Sequence, residues 1–488
     1  MDDKLPGNVP YAAGFASQWS EINAEDLPVE GKIPRWLSGC LIRNGPGACD
    51  SEDGNIKVSH WFDGLAMLHR FGFDAGQVSY GNRFLRSDCY AQWQALKETG
   101  EQREIGGFAR DPCRALFGKA MAVFEPTAAG NASVHVHPLD DEMIALTETP
   151  LAVQFDPDTL DTLGFHPISS GADGLGVNHG TAHPYLDPDT GELIFYGLAF
   201  GQESHYLFSR VNGDLDSPKL IAKIKTDKPA YLHSFGCTKE HIILAEWPIR
   251  TTALTMLMAR QTNGGFMNAF KAENIPTQFH LIERATGKVT GVCEAPPMFG
   301  FHHVNAYTDG DRIICDVSAY DSVDVLGGLT MQHLRHGTGD LGRGARLARF
   351  ELPLAGGQAT ETVLYDGMFE LPRVRDDLCG KQHRFAYGLS QPGEQAGEFL
   401  DRIVKIDTQG EAKTWHQPGC FPGEPVFVPE PGDDAIGEDD GVILSVVLDS
   451  EKNQSFVLVL DAVDLSEIGR AYAPQVVPFG FHGRYLGA

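Results

Sequence analysis

No stretch of eighteen apolar residues occurs in the 488-residue chain, and Met1 to Pro6 lack the basic segment and apolar run of a secretory leader. Neither a spanning helix nor export is expected, and the chain reads as soluble and cytoplasmic. Basic charge is scarce: 39 Lys and Arg stand against 66 Asp and Glu, a formal charge of -27. Such a surface repels nucleic acid, which removes that class of partner, and repels anionic lipid. Paired cysteines are missing too. The nine cysteines are odd in number and scattered, with no Cys-x2-Cys, which argues against a zinc ribbon or a redox pair and suits reduced thiols.

What the chain has instead is many short strands. From about residue 130 it alternates brief runs of Val, Ile, Leu, Phe and Tyr with Gly, Pro, Asp and Asn, as at 193–200, 242–247, 312–317, 442–448 and 456–460. These runs are too short and too interrupted for helices. A weak repeat ends several of them in an acidic turn: Phe155-Asp156-Pro157-Asp158, Leu186-Asp187-Pro188-Asp189, Ile282-Glu283, Ile406-Asp407 and Leu460-Asp461. The pattern predicts hairpins within successive blades, with insertions to explain the irregular spacing. A β-propeller is favoured, ahead of a sandwich or jelly roll. Residues 1–25 are expected to form an N-terminal arm and 26–488 a single propeller domain. Insertions near 85–125, 250–275 and 325–345 would supply a cap of loops and short helices over one face. Two apolar stretches inside them, 114–124 (with Leu116 and Phe117) and 254–258 (with Met256 and Leu257), read either as cap packing or as a patch for peripheral membrane contact.

Four histidines sit in distinctive contexts: Thr181-Ala182-His183-Pro184, Leu232-His233-Ser234, Phe301-His302-His303-Val304-Asn305 and Phe481-His482-Gly483. Separations of about 50, 69 and 180 residues are too long for a local metal site. They require a fold that gathers distant segments on one axis, which inner propeller strands do. His179 competes with His183; His303 competes with His302, and because strand neighbours face opposite ways only one of that pair can face the axis. His60 reads as structural, as do Asp63 and Arg43, the latter within an Arg43-Asn44-Gly45-Pro46 turn.

The run from Val29 to Pro46, followed by His60-Trp61-Phe62-Asp63-Gly64, resembles the opening signatures of the carotenoid cleavage oxygenases, and the similarity extends over nearly the whole chain. It implies a seven-bladed propeller with non-haem Fe(II) on its axis, held by His183, His233, His302 and His482; the family's His-x2-Asn pattern selects His302. Glutamates behind the ligands are implied at Glu148, Glu370 and Glu424, supporting His233, His302 and His482 respectively and leaving His183 held otherwise. Thr147 would crowd one open iron position. Four neutral imidazoles suit Fe(II) and leave room for O2, and each carboxylate would fix the tautomer of the ring it touches.

Asp111-Pro112-Cys113-Arg114 and His233-Ser234-Phe235-Gly236 resemble the branch with the animal β-carotene oxygenases and the retinal-pigment isomerohydrolase. The lignostilbene-cleaving branch carries a Lys before the segment matching 131–134, absent here unless Lys119 folds back. The implied function is a dioxygenase that uses O2 to cleave a C=C bond of a lipophilic polyene, a carotenoid or apocarotenoid, into two carbonyl products. A stilbenoid oxygenase, a retinoid isomerohydrolase on the same iron, and a binder that keeps the metal as a structural pin are the competing readings.

Overall fold

The computed structural model describes residues 9–100, 102–105, 130–140, 142–172, 175–261, 269–338, 344–392, 399–432 and 437–488. Among the described residues seven sheets, antiparallel except where Gly357–Gln358 adds in parallel to Val289–Ala295, form the blades of a propeller, with two small two-strand pairs beside them. Blade 2 shows the plan, four strands in meander order: His135–Leu139, Glu142–Leu146, Leu151–Phe155 and Thr162–Pro167. Blades 3 to 6 begin at the axis with His179–Gly180, Gly236–Cys237, Phe299–Asp309 and Glu370–Arg373. Blade 7 begins with Cys420–Pro422 and Val426–Pro429.

Blades 1 and 7 close the ring with both ends of the chain. The C-terminal strand Gly483–Gly487 lies innermost in blade 1, paired antiparallel with Gly39–Ala48. Val29–Gly31 lies outermost in blade 7, against Glu467–Tyr472. The Arg43-Asn44-Gly45-Pro46 segment, expected as a turn, is part of strand Gly39–Ala48. Its glycine answers a close approach: a Cβ on Gly45 would stand 2.3 Å from the Cα of Gly480, so only bare backbone fits on both sides of the closure.

Burial explains the apolar runs. Middle strands such as Leu193–Ala199 are buried along their whole length because each blade is covered on both faces by its neighbours. Outer strands such as Thr162–Pro167 alternate with solvent. The acidic repeat is a turn device: Asp156 Oδ1 accepts from the N–H groups of Asp158 and Thr159 (2.9 and 2.7 Å), and Asp187, Asp407 and Asp461 accept in the same way. Its spacing is irregular partly because it closes the outer hairpin at Asp156, Asp407 and Asp461 but the inner one at Asp187.

The insertions contain helices Asp88–Thr99, Ala253–Gln261, Val325–Gly328 and Met331–His336. The expected apolar stretch 114–124 lies outside the described residues, as does the Leu257 side chain. On Ala253–Gln261, Met256 is buried whereas Leu254 and Met258 are 65% and 59% exposed, so among the described side chains of this helix the latter two are the apolar ones at the surface. Among the described residues no helix is long and apolar enough to cross a membrane. The arm is tied down: Phe15 packs edge-on against Trp61, Phe399 and Phe479.

Candidate metal centre

Small polar side chains stitch neighbouring inner strands together where the histidines lie. Thr181 Oγ1 donates to the carbonyl of His233 (2.8 Å) and accepts from the N–H of His183 (2.9 Å), locking blade 3 to blade 4. Ser234 Oγ donates to the Phe301 carbonyl (2.7 Å) and accepts from the His303 N–H (2.9 Å), locking blade 4 to blade 5. Asn44 Nδ2 donates to the carbonyl of Ala132 (2.7 Å), while its N–H bonds the carbonyl of His482 (2.9 Å), which joins blades 1 and 2 at the closure.

These locks bring His183, His233, His302 and His482 together with their ligand-capable nitrogens all within 4.8 Å of one another. His183 Nε2 is 3.0 Å from His233 Nε2, and His302 Nε2 is 3.2 Å from His482 Nε2. Ligands about 2.1 Å from an ion and at right angles would stand about 3 Å apart. The opposite ring nitrogens fix the tautomers. His233 Nδ1 bonds Glu148 Oε1 (2.6 Å), His302 Nδ1 bonds Glu370 Oε2 (2.5 Å) and His482 Nδ1 bonds Glu424 Oε1 (2.7 Å). A neutral imidazole has one N–H, and a carboxylate claims it on each of these rings, so the facing Nε2 atoms present lone pairs to each other. Two lone pairs at 3.2 Å repel unless a cation lies between them, and the donor set therefore fits a metal ion.

Burial favours the neutral form of His183, His233 and His482. It pushes His183 well below its ordinary value, helped by the other three rings, and takes His482 to about 4 against the pull of Glu424. The carboxylates stay ionised. Burial alone would raise Glu424, but His482, Arg43 and Arg373 together hold it at about 2. Glu148 and Glu370 are likewise lowered, burial being outweighed by His233 and by His302.

His303 points away from this group: its Nδ1 bonds Ser234 Oγ (2.9 Å) and its ring lies against Trp247. His179 sits behind Glu148, its Nε2 4.0 Å from Oε2. His60 accepts the N–H of Phe62 on Nδ1 and caps the short helix Trp61–Asp63. Asp63 is buried in that helix. Thr147, half-buried, directly precedes Glu148 at the end of strand Glu142–Leu146.

Several neighbours were not singled out from sequence. His135 and His137 bond each other (3.1 Å), with the His135 ring 5.2 and 5.0 Å from those of His183 and His482. Their i, i+2 spacing on a strand was the available signal, since it places both on one face. Tyr231 Oη donates to Glu148 (2.6 Å), and Arg43, read as structural, ion-pairs with Glu424. Phe301 flanks the centre, its ring 5.3 Å from that of His233. Phe62 packs edge-on against both Phe301 and Phe481.

The family model described as retinal pigment epithelial membrane protein matches residues 15–487. The carotenoid isomerooxygenase of Galleria mellonella is 32% identical over 487 residues, covering 94% of this chain and 93% of that one. The mitochondrial carotenoid-cleaving dioxygenase of Mustela putorius furo is 33% identical, with 94% and 93% covered. Among solved structures, cobalt-substituted Synechocystis apocarotenoid oxygenase superposes with a TM-score of 0.82 at 25% identity over 98% of both chains.

Proposed function

This chain belongs to the carotenoid cleavage oxygenase family, matched along residues 15–487, and from that premise we propose that it is an Fe(II)-dependent dioxygenase that splits a C=C bond of a carotenoid or apocarotenoid. The observation that carries the reading is the set of three carboxylate-anchored imidazoles plus His183, all turning Nε2 to one point. Bound iron supplies the activation of O2. The balance needs no reductant: one double bond breaks, and both atoms of O2 end in the two product carbonyls.

The chain's own residues hold and shield. His183, His233, His302 and His482 would be the iron ligands, and Glu148, Glu370 and Glu424 keep three of them in the Nδ1–H tautomer. Phe62, Phe301 and Phe481 offer aromatic faces and edges beside the centre. Such surfaces suit a polyene, which has no charge or hydrogen-bonding handle, and exclude water from it. Thr147, next in the chain to Glu148, is the residue that the family resemblance puts beside an open iron position. Leu254 and Met258, one helical turn apart and exposed, are the proposed contact with a lipid surface. At a net charge of -27 that contact is hydrophobic rather than electrostatic.

The test is anaerobic loading with Fe(II), then a panel of carotenoids, apocarotenoids, retinyl esters and hydroxystilbenes in air, with products identified by mass and O2 uptake recorded. Paired aldehyde or ketone fragments from a polyene, with one O2 consumed per cleavage, are expected. Isomerised retinoid without O2 uptake, or cleavage of stilbenes alone, would overturn the assignment.

A further inference from the structure

The three buried glutamates are anchored differently. Glu148 accepts a hydroxyl bond from Tyr231 (2.6 Å), and Glu370 Oε2 accepts the backbone N–H of Leu371 (2.9 Å). Glu424 is instead paired with the buried guanidinium of Arg43, its Oε2 also accepting the Gly483 N–H (2.9 Å), and Arg373 Nη1 lies 3.8 Å from Oε1. Arg43 has a second grip: its Nη2 donates to the carbonyl of Phe481 (2.8 Å). One side chain from the N-terminal part of the chain thus holds both the carboxylate that bonds His482 Nδ1 and the peptide unit joining Phe481 to His482.

His482 has particular need of this. It lies in the last segment of the chain, and its strand Gly483–Gly487 is kept on the axis largely through pairing with Gly39–Ala48. The approach is tight, for a Cβ on Gly483 would meet the Ile42 carbonyl oxygen at 2.4 Å and Arg43 Cδ at 2.7 Å. A planar guanidinium can bond a carboxylate and a carbonyl at once, which an ammonium on a flexible stem does poorly.

We propose that Arg43 is a positioning residue for the metal ligand His482: it fixes the rotation of the Glu424 carboxylate and the carbonyl of Phe481, and so aims His482 Nε2 at the axis. This rests on the iron reading above.

The test compares wild type with Arg43→Met, Arg43→Lys, Glu424→Gln and the double variant Arg43→Met/Glu424→Gln. Fe(II) affinity is measured by anaerobic chelator competition, the ligand-field spectrum after Co(II) substitution, and the melting temperature without metal. Arg43→Met is expected to lose about 10-fold or more in affinity and to alter the Co(II) spectrum. Arg43→Lys should recover part of both, and the double variant should lose no more than Glu424→Gln alone, because the two residues act in series. Arg43→Met that melts lower but keeps wild-type affinity and spectrum would overturn the proposal, as would losses that add in the double variant. Should Arg43→Met not fold because it leaves Glu424 uncompensated, the double variant removes both charges; wild-type affinity there sinks the idea. A wild type that binds neither Fe(II) nor Co(II) would sink the iron reading itself, and this one with it.

Discussion

Replacing Glu370 by Gln removes a charge while keeping an oxygen that can accept the His302 proton. The carboxylate is buried and bonds Nδ1 at 2.5 Å, so solvent screens the interaction little. Charge-assisted hydrogen bonds are roughly twice as strong as neutral ones, and bonds to a charged group are worth about 1.5–3 kcal/mol net. Losing about half of that is about 0.8–1.5 kcal/mol, roughly 4- to 13-fold in metal affinity, and the ring's lowered basicity adds to it, toward the roughly 10- to 100-fold found for such outer partners. The assay is anaerobic Fe(II) competition against a chromophoric chelator, with the metal-free melting temperature measured in parallel. Gln carries no charge to strand in the interior, so the metal-free protein should melt close to wild type. Wild-type Fe(II) affinity in Glu370→Gln would refute the argument and return Glu370 to a purely structural role.

His302→Ala should lose both iron and activity, whereas His303→Ala, which removes a ring bonded to Ser234 and packed on Trp247, should keep most of its iron; equal iron loss in the two would overturn the choice of ligand. Leu254→Ser with Met258→Ser should lower turnover of a long carotenoid presented in liposomes and spare a short apocarotenoid dispersed in detergent, and identical rates for the liposomal substrate would remove the lipid contact. Burial holds His60 and His69 at about 4 and about 3, below the ordinary 6.5. Between about pH 6.5 and 4 the unfolded chain therefore binds protons that the folded chain refuses. Stability should fall through that window by up to about 1.4 kcal/mol per ring per pH unit, and denaturant midpoints equal at pH 7 and pH 5 would contradict it.

By itself the sequence determined the strand content, because short apolar runs ended by acidic turns have a direct local cause: Asp156, Asp407 and Asp461 each bond the backbone that follows them. It also marked the four histidines and, through family resemblance, the three glutamates, since their immediate neighbours are distinctive. What it left open were choices made between blades. The choice of His302 over His303 came from the family resemblance alone, because strand alternation decides it only once the strand's two faces have been assigned. Ser234 of the next blade, which takes His303, lies 69 residues away. Arg43 looked like a turn residue because its grip on Glu424 and Phe481 spans 381 and 438 positions of chain. Met256 and Met258 are alike in composition, and only the packing of helix Ala253–Gln261 buries one and exposes the other. Local propensity and turn chemistry act over a few residues and are written in order along the chain; ring closure, burial and the meeting of lone pairs at the axis depend on distances that exist only once the seven blades have assembled.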